Sequence, residues 1–333
     1  LAGLGFYLPV FLIVLAIPVA ADSIGVYSGR HYNTDKQLYK AFTQRTGIEV
    51  NLLEAKDDAL IQRLQLEGAD SPADVLVLVD AARLNRAADL GLLRSIQSPQ
   101  LLQEVPVQYR DSRGRWYGLT RRVRAVIVNP KLVSPTSIKS YSDLADANLK
   151  GKLCLRDRKS VYNQSLVADQ LVSRGPTATK TWIAAMVKNL AQPVFSSDTA
   201  LIRAVARGEC GAALVNTYYV ARIVSGESGK ADQLLSRNIK LIMPNPAHVN
   251  ISGAGVTSAA RNPEAAQKLI EFLASASGGR GYAEANNEYP LRGYGENPWL
   301  KSFGSFKASG ISAETLGANN KRAVQLMENN DWK

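Results

Sequence analysis

Tyr32, Tyr162, Tyr218 and Tyr219 are the side chains best placed for chemistry. A phenol donates and accepts hydrogen bonds, and once deprotonated its oxygen is a hard anionic ligand. Tyr32 lies in the loop that follows a short strand candidate, Ile24 to Tyr27. Tyr162 stands at a helix start after Arg156 to Ser160, and Tyr218 and Tyr219 close the strand-like run AALVNT. All four therefore fall at carboxyl ends of strands or at helix starts, where α/β folds hold their ligands. Neighbours on a helix point about 100° apart, so one core face cannot take both Tyr218 and Tyr219. At least one hydroxyl needs a partner: water, another hydrogen-bonding group or a metal.

The chain has two cysteines and two histidines. Cys154 and Cys210 each precede a tyrosine, Tyr162 and Tyr218, by the same interval. In an exported chain an even cysteine count favours a disulfide, for which the chain-entropy model gives about 4 kcal/mol at this loop length. Such a bridge would tie two tyrosine-bearing strands together; two buried thiols are the other possibility. His31 and His248 have no zinc-type spacing, so a cysteine–histidine metal site lacks support. There is no GxSxG elbow, GxxxxGK[ST] loop, HExxH, GxGxxG or CxxC. With two histidines, triad and acid–base arrangements have few candidates, which argues against an enzyme.

The elements that must position these residues alternate between strand and helix. Ile24–Tyr27, Ile48–Leu53 and the continuous apolar run Asp74–Val79 read as strands, the last buried on both faces. Lys36–Thr46, Asp58–Leu66 and Ala81–Leu90 read as the helices between and after them. The pattern restarts beyond Trp116. Strands are expected at Arg122–Val128, Lys152–Leu155, Ala212–Val215 and Lys240–Met243. Helices are expected at Val161–Leu171, Thr177–Ala191, Ser197–Arg207 and Asn262–Ala274, the last with Asn262 at its cap and Pro263 in its first turn. The remainder to Lys333 carries scattered helical pieces. This order signals an α/β layer architecture in two lobes. Arg122–Val128 and His248–Thr257 would be two extended crossings between them.

At 333 residues the chain is long for one core, and 46% hydrophobic with 21% charged residues is an ordinary globular balance. Leu4–Ala16 is apolar and uncharged, and Pro18-Val19-Ala20-Ala21 supplies the small residues of an export cleavage site. The run is shorter than the ~20 residues of a membrane span, so residues 1–21 read as a signal peptide and the remainder as a soluble exported protein. The formal charge of +11 suits acidic ligands or anionic surfaces. No aromatic–basic motif for nucleic acid accompanies it.

VYSGRHYN, SVYNQS and ALVNTYYVAR together resemble the ferric-ion-binding proteins of bacterial iron ABC importers, the bacterial counterparts of transferrin lobes, and the Fut-type receptors in particular. The resemblance covers essentially the whole chain after residue 21. It implies a two-lobed periplasmic-binding-protein fold of type II, closing on Fe³⁺. It implies residues 22–121 with 249–275 in the N-terminal lobe, and 122–248 with 276–333 in the C-terminal lobe. The family's ligands fall on Tyr32, Tyr162, Tyr218 and Tyr219, with His31 added in some members. The implied setting is the periplasm, and the implied partner is an importer permease met by a monomer.

The chemistry agrees with that set. Fe³⁺ is a hard cation suited to phenolate oxygen, and a free phenol at pKa about 10 must lose its proton to the metal. Binding should then release protons and weaken in acid. Four phenolates exceed the charge of Fe³⁺, which calls for cations nearby; Arg122, on the first crossing, and Arg222, one helical turn beyond the tyrosine pair, are the candidates. Two other functions compete. An oxyanion receptor would need backbone amides, Ser, Thr and Arg rather than converging phenols. A ferric-tyrosinate oxygenase would pair tyrosines with histidines, of which only His31 is near.

Overall fold

In the computed structural model, residues 22–30 and 33–333 are described. The expected signal peptide, His31 and Tyr32 lie outside them. The strands are β1 (Ser23–Ser28), β2 (Glu49–Glu54), β3 (Val75–Val79), β4 (Tyr117–Val128), β5 (Leu153–Cys154), β6 (Ala212–Asn216), β7 (Lys240–Ile242), β8 (Val249–Val256) and β9 (Tyr289–Pro290). The helices are α1 (Asn33–Thr46), α2 (Asp57–Glu67), α3 (Ala81–Asp89), α4 (Pro99–Glu104), α5 (Val161–Lys188), α6 (Asp198–Arg207), α7 (Thr217–Ser225), α8 (Lys230–Leu235), α9 (Pro263–Ala274), α10 (Ala276–Glu284), α11 (Pro298–Ser302), α12 (Ala313–Ala318) and α13 (Asn320–Glu328).

The strand order is β2-β1-β3-β8-β4-β6-β5, with β7 and β9 also pairing β4. The apolar run of β3 is buried throughout its first four residues, as a strand covered on both faces requires. β4 belongs to two sheets in succession. Tyr117 to Val123 pair with β8, whereas Arg124 to Val128 pair with β6 and, over the last three residues, with β7. The first crossing is therefore longer than Arg122–Val128 and switches partners between Val123 and Arg124. The second differs from expectation. Among the described residues, β8 pairs with β3 and with the first part of β4 alone, and so lies within one sheet. The two crossings touch where the Arg124 amide donates to the His248 carbonyl at 3.1 Å.

The helices expected at Val161–Leu171 and Thr177–Ala191 join into α5, broken at Gly175, which takes φ 77° before Pro176. A left-handed glycine followed by a proline accounts for the break. α6 starts on Ser197, whose hydroxyl accepts from the Ala200 amide, and ends at left-handed Gly208. The core divides into a large cluster around β1, β3, β4 and β8 and a second around Leu201, Val205, Val215 and Cys154. Beyond residue 275 the chain packs on both parts. β9 pairs Thr120 and Arg121 of β4, while Arg158 takes Glu328 and the Trp332 indole donates to the Arg156 carbonyl.

Candidate metal centre

β5 and β6 run parallel, with Leu153 opposite Ala212 and Cys154 opposite Ala213. The cysteines form the Cys154–Cys210 disulfide, with Cα atoms 5.9 Å apart. Both strands end on the same side. From β5 the chain turns through Arg156–Ser160 into α5, whose second residue is Tyr162; from β6 it enters α7 at once, with Tyr218 and Tyr219 in its first turn. Three of the four expected tyrosines are thereby brought together. The Tyr218 hydroxyl donates to the Tyr162 hydroxyl at 3.0 Å, and the Tyr218 and Tyr219 rings lie 4.3 Å apart between centroids. The expected positions of His31 and Tyr32 are outside the described residues, but the chain on either side of them is anchored. Buried Arg30 donates to Asp35 at 2.9 Å and to Glu288 at 2.7 Å, and stacks on the Tyr282 ring at 3.9 Å. Gly29 is required here, because a Cβ would lie 1.4 Å from Asp57 Oδ1.

Guanidinium groups surround the phenols. Arg122, buried in β4, lies 5.4 Å from the Tyr162 ring centroid, and Arg222 lies 5.4 and 5.9 Å from the Tyr218 and Tyr219 rings. Two more were not anticipated: Arg124 at 5.8 Å and Arg156 at 5.4 Å from the Tyr162 centroid. Arg124 had a signal, since residues i and i+2 of a strand share a face and Arg122 was already singled out. Arg156 had none beyond its place in the loop before Tyr162.

Buried carboxylates hold these arginines. Asp198 accepts from Arg124 Nη1 at 2.6 Å, from Arg156 Nη1 at 3.3 Å and from the Asn216 amide at 2.7 Å. Asp80, at the carboxyl end of β3, lies 3.7 Å from Arg122 and accepts from Ser165 of α5 at 2.9 Å and Asn250 of β8 at 2.8 Å. Burial works against the charges of Arg122 and Arg156. For Arg122 the Asp80 carboxylate and the Tyr162 phenol more than compensate, and for Arg156 Asp198, Tyr219 and Tyr162 do, so both pKa values lie above the ordinary one. Burial raises the phenol of Tyr39 to about 12 and those of Tyr141, Tyr282 and Tyr289 as well. His248 lies on the second crossing, its Nδ1 3.2 Å from Asp169 Oδ2. Phenols that share hydrogen bonds and sit beside fixed cations can lose protons to a hard metal ion without leaving uncompensated negative charge.

The bacterial extracellular solute-binding protein family matches residues 28–280. Iron uptake protein A1 of Synechocystis is 42% identical over 95% of this chain and 89% of its own. The Fe(3+)-binding periplasmic protein of Serratia marcescens is 31% identical over 92% and 90%. A Trichodesmium structure in complex with iron and citrate superposes with a TM-score of 0.90 at 40% identity, covering 93% of this chain and 100% of that one. Their two-lobed type II binding-protein fold is the fold described above. The chain belongs to the bacterial extracellular solute-binding proteins, among the iron uptake and ferric-iron-binding members of that family.

Proposed function

We propose that this protein captures Fe³⁺ in the cleft between its lobes through the phenolates of Tyr32, Tyr162, Tyr218 and Tyr219 and delivers it to the permease of an ABC importer. The observation that carries this reading is the Tyr162–Tyr218 hydroxyl contact with Tyr219 beside it, in a ring of arginines. His31 would add a ligand. Arg122 and Arg222, with Arg124 and Arg156, would balance the excess phenolate charge. The protein would work in the periplasm, where its Serratia relative is named as residing, with residues 1–21 removed on export. It would catalyse no reaction on its cargo. The lobes would comprise residues 22–121 with 249–275, and 122–248 with the end of the chain. Residues 276–291 are better grouped with the first lobe, because β9 and the Arg30–Glu288 pair join them to it.

Adding ferric citrate to the iron-free protein tests the reading. The expected result is a visible phenolate-to-iron charge-transfer band saturating at one iron per chain, lost in Tyr218→Phe/Tyr219→Phe. A colourless protein that retains no iron would remove the tyrosine clamp.

A further inference from the structure

The net charge is distributed unevenly. Residues 122–248 contain eighteen Lys and Arg against eight Asp and Glu, whereas the rest of the chain has twenty-two against twenty-one. Almost all of the +11 therefore belongs to one segment. The four arginines beside the tyrosines account for part of the excess. Much of the remainder gathers at the opposite end of the same strands. Lys152 directly precedes β5, and its carbonyl accepts from the Gly211 and Ala212 amides at the start of β6. Lys240 opens β7 opposite Val128, the last residue of β4, and Lys131 and Leu132 follow just beyond. Gly208 faces Leu132, and Gly211 faces Lys152. Lys188 ends α5 next to Asn189, whose carbonyl accepts from the Leu153 amide, and Lys150 lies two residues before Lys152.

Lys131, Lys150, Lys152, Lys188 and Lys240 are all exposed, and none makes an ion pair among the described residues. The carboxylates nearby are engaged: Glu209 takes Arg207, and Asp146 caps the Asn148 amide. Leu132, 42% exposed, stands among them.

We infer that this lysine face is an electrostatic landing surface for an anionic phospholipid bilayer. Its composition separates that partner from an acidic protein. Protein interfaces are depleted in Lys and built around buried aromatic, Met and Arg anchors, and this face offers one apolar side chain. A lipid surface needs no anchor, because each lysine near anionic headgroups adds an independent, salt-screened attraction. The tyrosines lie at the other ends of β5 and β6, more than ~13 Å away at about 3.3 Å per strand residue. The landed protein would keep its cleft open to solvent and diffuse along the membrane in two dimensions.

Co-sedimentation of the full chain with phosphatidylcholine vesicles, with and without phosphatidylglycerol, tests this. The expected result is binding only to the phosphatidylglycerol vesicles, abolished by added salt. Each of the changes Lys131→Gln, Lys150→Gln, Lys152→Gln, Lys188→Gln and Lys240→Gln should weaken it by about fivefold, and the quintuple variant that combines them should abolish it. Replacing exposed Lys40, Lys56, Lys268, Lys307 and Lys321 by Gln removes the same charge elsewhere and should leave most of the binding. Equal loss in both quintuple variants would overturn the inference in favour of overall charge alone. So would equal binding to both vesicle types, or retention on immobilised polyglutamate with no vesicle binding. Thermal melts of each variant distinguish a lost surface from a lost fold.

Discussion

Asp198 is the residue on which two arginines and a helix start converge, and no solvent reaches it. Removing one member of a buried charge group leaves the others unpaired, at a typical cost of about 3–5 kcal/mol. Asp198→Asn should lower the melting temperature by several degrees, and it should weaken ferric binding because Arg124 and Arg156 are then free to leave Tyr162. The comparison is a pair of thermal melts and iron titrations against Arg203→Gln, which disturbs only a half-exposed pair with Asp232. Asp57 acts in the opposite sense. Burial raises its carboxyl to about 6 against the pull of Arg83, and among the described residues its Oδ1 has no hydrogen-bond partner beneath Gly29. Between pH ~4 and ~6 the folded form then binds more protons than the unfolded one, so stability falls as pH rises through that window. Asp57→Asn should stabilise the protein at pH 7, with the gain fading towards pH 4. Denaturant melts at the two pH values measure this, and an equal effect at both would reject it.

At the scale of elements, the disulfide joins the end of β5 to the approach to β6, the two strands that lead to the helix starts carrying Tyr162 and Tyr218. Cys154→Ser/Cys210→Ser should lose up to about 4 kcal/mol, read as a lower melting temperature that reductant no longer changes. This part of the fold was legible because strands buried on both faces, such as VLVLV and AALVN, leave unbroken apolar runs. Other parts were not. Arg122 and Arg124 interrupt β4 with buried charge, and partners distant in sequence, Asp80 and Asp198 with Ser252 and Asn163, make those charges tolerable inside a strand. The return of residues 276–291 to β4 depends on Glu288 meeting Arg30. No periodicity announces such a long-range pair. The tyrosine cluster was readable from position and resemblance, whereas the arginines around it needed the tertiary register of β4.

At the scale of the whole molecule, two side-chain hydrogen bonds would bridge the proposed lobes. Ser165 of α5 donates to Asp80 at the end of β3, and Asn287 donates to Glu227 just beyond α7 at 3.1 Å. If iron draws the lobes together, small-angle scattering should give a smaller radius of gyration with ferric citrate than without, and Glu227→Ala/Ser165→Ala should speed iron loss to a chelator severalfold. An unchanged radius with iron bound would mean that the cleft is already set before capture. The way the lobes can move follows from the crossings. Arg124 and His248 lie side by side and are hydrogen-bonded, so two of the connections between the proposed lobes would form a narrow ribbon, with the chain beyond residue 291 adding a third. A ribbon bends readily across its flat face and resists shear within its plane. Lobes joined this way would favour one swing, like the covers of a book on its spine, and whatever side chains one cover presents would return to the same place on the facing page at each closure.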